Sequence, residues 1–162
     1  MPSLRRAPAI LALALVGGLV ASCTSVRPTS GVTGAKIVSG EAIARVNAFR
    51  KENGAPPLAV DAHASKAALH QAETMAAHQV MEHNIGIGAN FANRMKRNDV
   101  PLPAAENIAT GQQSVDAAIV AWENSPPHRR NMLSKAYRGV GVAVAKSTKT
   151  GRSYWSMVLT GE

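Results

Sequence analysis

The chain has a single cysteine in 162 residues, Cys23. An intramolecular disulfide framework is thereby excluded, whatever the redox state of the compartment. Acidic residues are also scarce: 10 Asp and Glu stand against 18 Lys and Arg, for a formal net charge of +8. That balance favours anionic surfaces such as phospholipid headgroups or acidic cell-wall polymers. Nucleic acid would satisfy the same charge, but the sequence carries no groove-reading motif, so no nucleic acid partner is expected. The apolar run from Ile10 to Ala21 falls well short of the ~20 residues that span a bilayer. Familiar catalytic signatures are missing too. There is no Ser-His-Asp order, no His-Glu-x-x-His, no Cys-His pair and no Gly-rich phosphate loop. No internal repeat is present.

What the sequence does hold begins around that apolar run. Arg5 and Arg6 precede it and the small residues Ala21 and Ser22 close it, the layout of an export signal. Val20-Ala21-Ser22-Cys23 resembles the bacterial lipobox. The resemblance implies that the Cys23 sulfur is diacylated, that the chain is cut before it, and that the product is lipid-anchored in the cell envelope. Thr24 follows the cysteine, which under the Gram-negative sorting rule implies the outer membrane, facing the periplasm. Thr24 to Gly34 is rich in Ser, Thr, Gly and Pro without an apolar period, as a tether would be. The expected organisation is a signal peptide at 1–22, a flexible tether at 23–38 and one domain at 39–162. Loss of residues 1–22 leaves 140 residues and, without Arg5 and Arg6, a charge of +6. That length supports one core and not two, and a monomer is expected.

Five helices and two strands are legible beyond residue 38. Ser39 is placed to cap a helix from Gly40 to Asn53, with Ile43, Val46, Phe49 and Arg50 on one stripe and Gly54 as its stop. Pro56-Pro57 forces an extended link, and Asp61 caps a helix from Ala62 to about Gln79. Ala64, Ala67, Ala68, Gln71, Ala72 and Met75 share its buried stripe, a thin face suited to close approach. Phe91 to Asn98 reads as a short helix ahead of Pro101 and Pro103. Ser114 caps another, turning Val115, Ala118, Ile119 and Trp122 inward, and Ser125-Pro126-Pro127 ends it and opens a short helix through Met132. The period then becomes two. Val140, Val142 and Val144 alternate with small residues, and Trp155, Met157 and Leu159 alternate across a turn-rich connection from Ser147 to Gly151. Helices first and strands last argue for an α+β fold.

Chemistry concentrates in three segments: Met81-Glu82-His83-Asn84, Ala105-Glu106-Asn107-Ile108-Ala109, and Trp122-Glu123-Asn124-Ser125-Pro126-Pro127-His128-Arg129-Arg130-Asn131-Met132-Leu133. Two histidines and a carboxylate from distant segments could bind Zn²⁺ with positions open for water. They could equally form a hydrogen-bonded set in which Glu106 stabilises an imidazolium. His63, His70 and His78 fall on the polar side of their helix, Arg129-Arg130 reads as a solvated face beside the site, and Asn107 and Asn131 read as structural.

These segments, in this order and followed by Gly139-Val140-Gly141-Val142 and Tyr154-Trp155, resemble the compact bacterial branch of the CAP superfamily. That superfamily comprises the cysteine-rich secretory, antigen 5 and pathogenesis-related 1 proteins. The resemblance runs from Ser39 to Leu159 and implies an α-β-α sandwich, an antiparallel sheet flanked by helices. It also implies a ligand cleft holding His83, Glu106 and His128. No cofactor is required; the same three residues would be the ligands if Zn²⁺ or another divalent ion bound. Where animal members place a further acid three residues after the tryptophan, this chain has Ser125. The nearest acid, Glu123, would point about 100° from Trp122 on a helix, whereas Ser125 would point about 60° the other way. Glu123 is therefore the doubtful member of the cleft set. A binding module for a lipid, sterol-like or cell-wall ligand ranks first as a function. A structural envelope lipoprotein with a vestigial cleft ranks second and a metal-assisted hydrolase third.

Overall fold

A computed structural model describes residues 30–161. The expected signal peptide, Cys23 and the first part of the expected tether lie outside the described residues. Ten elements follow in chain order: β1 (Val32–Ile37), α1 (Ser39–Glu52), β2 (Ala59–Val60), α2 (Ala62–His78), α3 (Phe91–Arg97), β3 (Ala104–Thr110), α4 (Val115–Glu123), α5 (Pro126–Leu133), β4 (Gly139–Ser147) and β5 (Ser153–Thr160). The sheet runs β1-β4-β5-β3, with these neighbours antiparallel, and β2 adds a short parallel pairing to β4. Helices α1, α4 and α5 cover one face, while α2 covers the other with α3 beside it. The α+β, α-β-α sandwich is thus the observed architecture. Among the described residues, no helix is long and apolar enough to cross a membrane.

Sequence period explains the layers. Along β4 and β5, Val140, Val142, Val144, Trp155, Met157 and Leu159 point to α1, α4 and α5. Ala143, Ala145, Tyr154 and Val158 point to α2. Each strand thus contributes alternate residues to two cores. The helix caps act as the sequence indicates for α2 and α4: Asp61 Oδ1 accepts from Ala64 N at 2.7 Å, and Ser114 Oγ accepts from Ala117 N at 3.1 Å. Gly54 adopts the expected positive φ of 69° past α1. Arg50, fully buried on the predicted stripe, donates to the carbonyls of Pro56, Met132 and Ser134 and so ties α1 to the end of α5.

Three expectations are corrected. The last part of the 23–38 tether is strand β1, paired with β4 through Val32↔Ser147 and Ile37↔Ala143. Its edge position leaves it mostly exposed, so it carries no apolar period to mark it. Ser39 is not the cap of α1 but lies in its first turn. Its hydroxyl meets Ser65 Oγ at 2.7 Å and accepts from Val142 N at 2.8 Å, binding α1 to α2 and the sheet. The segment around Glu106, read only as a motif, is strand β3 at the opposite edge of the sheet.

Candidate functional site

Among the described residues, strand β3 pairs only with β5, and its register sets the site. Glu106 lies opposite Val158 and Asn107 opposite Met157. Successive residues on a strand face opposite sides, so Glu106 projects into the α2 layer and Asn107 into the layer of α1, α4 and α5. Groups from both layers meet around this edge.

On the α2 side, Glu106 is buried and its carboxylate is held from three directions. Arg94 Nη2, from α3, lies 2.7 Å from each carboxylate oxygen. His83 Nδ1 lies 2.9 Å from Oε2, and Ser156 Oγ donates to Oε1 at 3.3 Å. Arg94 is itself 1% exposed, and its Nη1 donates to the main-chain carbonyl of His83 at 3.2 Å. Its Nε is buried without a hydrogen-bond partner among the described residues. The His83 side chain, by contrast, is 49% exposed. The loop that carries it is pinned next to His83 by Gln71 from the middle of α2, whose amide donates to Glu82 O at 2.5 Å. It is pinned again at α3 by Asn84 Oδ1, which accepts from Phe91 N at 3.1 Å.

On the other side, α5 brings His128. Asn107 Nδ2 donates to the His128 carbonyl at 3.1 Å, and Asn131 Nδ2 donates to Asn107 Oδ1 at 2.9 Å. The two asparagines are structural, as read, and what they fix is the seat of one histidine on β3. Burial, and then the nearby His83 charge, hold the His128 imidazole below the usual histidine range. Trp122 Nε1 donates to Ile108 O at 3.1 Å, so the indole both fills the core and caps a β3 carbonyl.

Direct contact therefore joins His83 to Glu106, and His128 reaches the same edge from the opposite layer. Glu123 is not part of the cleft: its Oε2 accepts from Arg45 of α1 at 2.7 Å, because the helix turns it toward α1. Arg129 does not line the cleft as a solvated cation either. It stacks 4.7 Å over the Phe49 ring and donates to Asn53 Oδ1 at 2.7 Å. Arg94 was not foreseen; the available signal was a cation between Phe91 and Met95 on the inward face of a short helix.

A divalent ion does not fit the donor set. Among the described residues no three His, Cys, Asp or Glu side chains are grouped to hold one. Both Glu106 oxygens are already engaged by a buried guanidinium. Close by, an apolar groove of about 420 Å³ runs along α3, lined by Phe91, Met95, Val100 and Leu102 with Lys96 at its rim. A comparable groove of about 430 Å³ lies on α1; neither groove is lined by His83, Glu106 or His128, and the α3 groove adjoins the site through Phe91, whose ring lies under Arg94.

Comparison with known proteins agrees with this architecture. The profile of the CAP, or cysteine-rich secretory protein, family matches residues 43–159. YkwD of Bacillus subtilis is 27% identical over 135 residues, covering 83% of this chain and 51% of that protein. An extracellular protein containing an SCP domain from Bacillus anthracis superposes with a TM-score of 0.67 at 23% identity, over 76% of this chain and 40% of that one. An outer surface protein of Borrelia burgdorferi gives the same TM-score at 18% identity, over 76% and 91%. The chain thus spans about half the length of the B. subtilis relative and nearly all of the Borrelia protein.

Proposed function

The chain belongs to the CAP family, and on that premise we propose that it is an envelope-anchored binding module whose cleft, at the β3 edge, captures a lipid or cell-wall ligand. The observation that carries the reading is the saturation of Glu106. A carboxylate held by Arg94, His83 and Ser156 is built to orient its partners and not to attack a substrate. Among the described residues, no hydroxyl or thiol hydrogen-bonds to either imidazole, so the nucleophile–base pairing of covalent catalysis lacks its first member. The α3 groove adds an apolar wall beside the polar one, a combination suited to an amphiphile with a polar head near His83 and a chain along Phe91 and Leu102. The relatives described as extracellular or outer-surface proteins support an envelope location. Attachment would be through acylated Cys23.

The test is recovery of a ligand. The tagged full chain is incubated with lipid and glycan extracts of a bacterial envelope, and bound material is identified by mass spectrometry. A compound enriched by the wild type and lost in both His83→Ala and His128→Ala supports the cleft. Equal enrichment by all three proteins places binding elsewhere. Anchoring is checked separately: Cys23→Ser should abolish palmitate labelling and membrane association.

A hydrolase is the second reading, favoured by one observation. Glu106 on Nδ1 is the arrangement that orients an imidazole as a general base. Recovery of the ligand in cleaved form, with cleavage lost in His83→Ala, would select it.

A further inference from the structure

We infer that Arg94 is the resident cation of the cleft, filling the electrostatic role of a metal ion, so that the ligand is received as a hydrogen-bond donor on Nε2 of His83. The inference rests on the binding reading above and narrows its ligand class to groups such as hydroxyls and amides.

The geometry of Glu106 is the first support. Its oxygens are occupied by Arg94 Nη2 on both, by His83 on Oε2 and by Ser156 on Oε1. A zinc ion would need a carboxylate oxygen at roughly 2.0–2.2 Å, a position that requires the guanidinium to withdraw. Arg94 has nowhere to go. It is 1% exposed, sits 5.8 Å over the Phe91 ring and holds the His83 carbonyl with its other terminal nitrogen. Retaining both cations on one buried carboxylate would set like charges together away from water.

The second support is the hydrogen-bond inventory of His83. A carboxylate only accepts, so the nitrogen facing it, Nδ1, must carry the hydrogen. In the neutral ring Nε2 then keeps its lone pair, at the end of a side chain that is half exposed. What the cleft offers at this point is an acceptor. Because Arg94 grips both the carboxylate that orients the ring and the main chain that carries it, Arg94 acts as a positioning residue.

The experiment reads the His83 imidazole by ¹⁵N-resolved NMR on the full chain, freed of metal by chelation and titrated with Zn²⁺ alone. The expected wild-type result is the Nδ1–H tautomer with a bare Nε2, and no shift of His83 or His128 at stoichiometric Zn²⁺. A one-to-one Zn²⁺ complex that shifts both imidazoles overturns the inference. Arg94→Met removes the charge at similar length. With Glu106 still facing Nδ1 the tautomer should hold, but the freed carboxylate should make the His83 signals respond to Zn²⁺, while Arg94→Lys should remain silent to the metal. Silence to Zn²⁺ in Arg94→Met, or an equal Zn²⁺ response in the lysine variant, argues against a resident cation. Should Arg94→Met not fold, Arg94→Met with Glu106→Leu leaves neither a buried charge nor an acceptor facing Nδ1; retention of the wild-type tautomer there also overturns the inference. None of these readings requires the ligand, so failure of the envelope-extract experiment and failure of this one are separable.

Discussion

On one face of the sheet, Trp122, Trp155, Phe49 and Met132 fill a deep layer between the strands and α1, α4 and α5; on the other, α2 lays Ala64, Ala67, Ala68 and Ala72 almost directly on β4 and β5. A Cβ placed on Gly141 of β4 would lie 2.1 Å from Ser65 N and 2.2 Å from the Ala64 carbonyl carbon. The first layer is stable because volume is present, the second because it is absent. The same sheet therefore tolerates opposite kinds of substitution on its two sides. The site inherits both conditions. Glu106, His83 and Arg94 belong to the thin layer, and His128 is delivered by the thick one.

The largest effect should come from removing volume where it is needed. Trp122→Ala deletes a fully buried indole and its hydrogen bond to Ile108 O, and is expected to cost about 3–5 kcal/mol. A denaturant midpoint equal to wild type would contradict the account of the thick layer. Adding volume where it is excluded comes next. Gly141→Ala should destabilise by about 3 kcal/mol, since the obstacle is helix backbone and not a movable side chain. The substitution is expected to act through α2, so loss of protection from amide exchange should be greatest there. Uniform loss across both layers would blur the contrast. The caps give a finer comparison, one per layer. Asp61→Ala and Ser114→Ala should each cost about 1 kcal/mol and shift the chemical denaturation midpoint by similar amounts, because each cap serves one backbone N–H regardless of what its helix covers.

Acid gives the smallest and most local effect. Burial and then the His83 charge lower the His128 pKa, and burial followed by the charges of Arg94 and Arg97 lowers that of His70 on α2. Unfolded histidine takes up a proton near pH 6.5, while these two resist it in the folded chain. Below that pH the unfolded state binds more protons, so stability is complete above about 6.5 and declines as pH falls toward the folded values. His128→Asn and His70→Asn should each flatten part of the decline in midpoint between about pH 6.5 and 5. A steeper decline in either variant would reverse the assigned direction.

The sequence revealed the fold where local rules act alone. Asp61 and Ser114 mark true helix starts, Pro126 and Pro127 stand where prolines are welcome, and the alternation in β4 and β5 follows from two separate cores. It concealed the elements shaped by their neighbours. Strand β3 is buried on both sides from Glu106 to Ala109, so its residues show no alternation, and β1 is exposed on nearly every residue. The resemblance put His83, Glu106 and His128 together where nothing in their spacing required it; the structure joins His83 to Glu106 and seats the main chain of His128 on β3. Arg94 was only faintly legible, from its place between Phe91 and Met95, because an arginine on a short polar helix looks solvated until its carboxylate partner, twelve residues on, is seen beneath it. Glu123 was legible as the doubtful member, because helix geometry turns it away from Trp122, and the structure pairs it with Arg45 of α1.

The position of β4 and β5 in the middle of the sheet bears on how the chain acquires its shape. A growing polypeptide that has reached residue 138 contains β1, β2 and β3 but neither strand with which any of them pairs. All three stay unmatched until the hairpin from Gly139 to Thr160 appears, and the pairing of Val32 with Ser147 then closes more than a hundred residues at once. Synthesis order and sheet order run against each other, so folding must wait for translation to pass the hairpin and is paced by long loop closures.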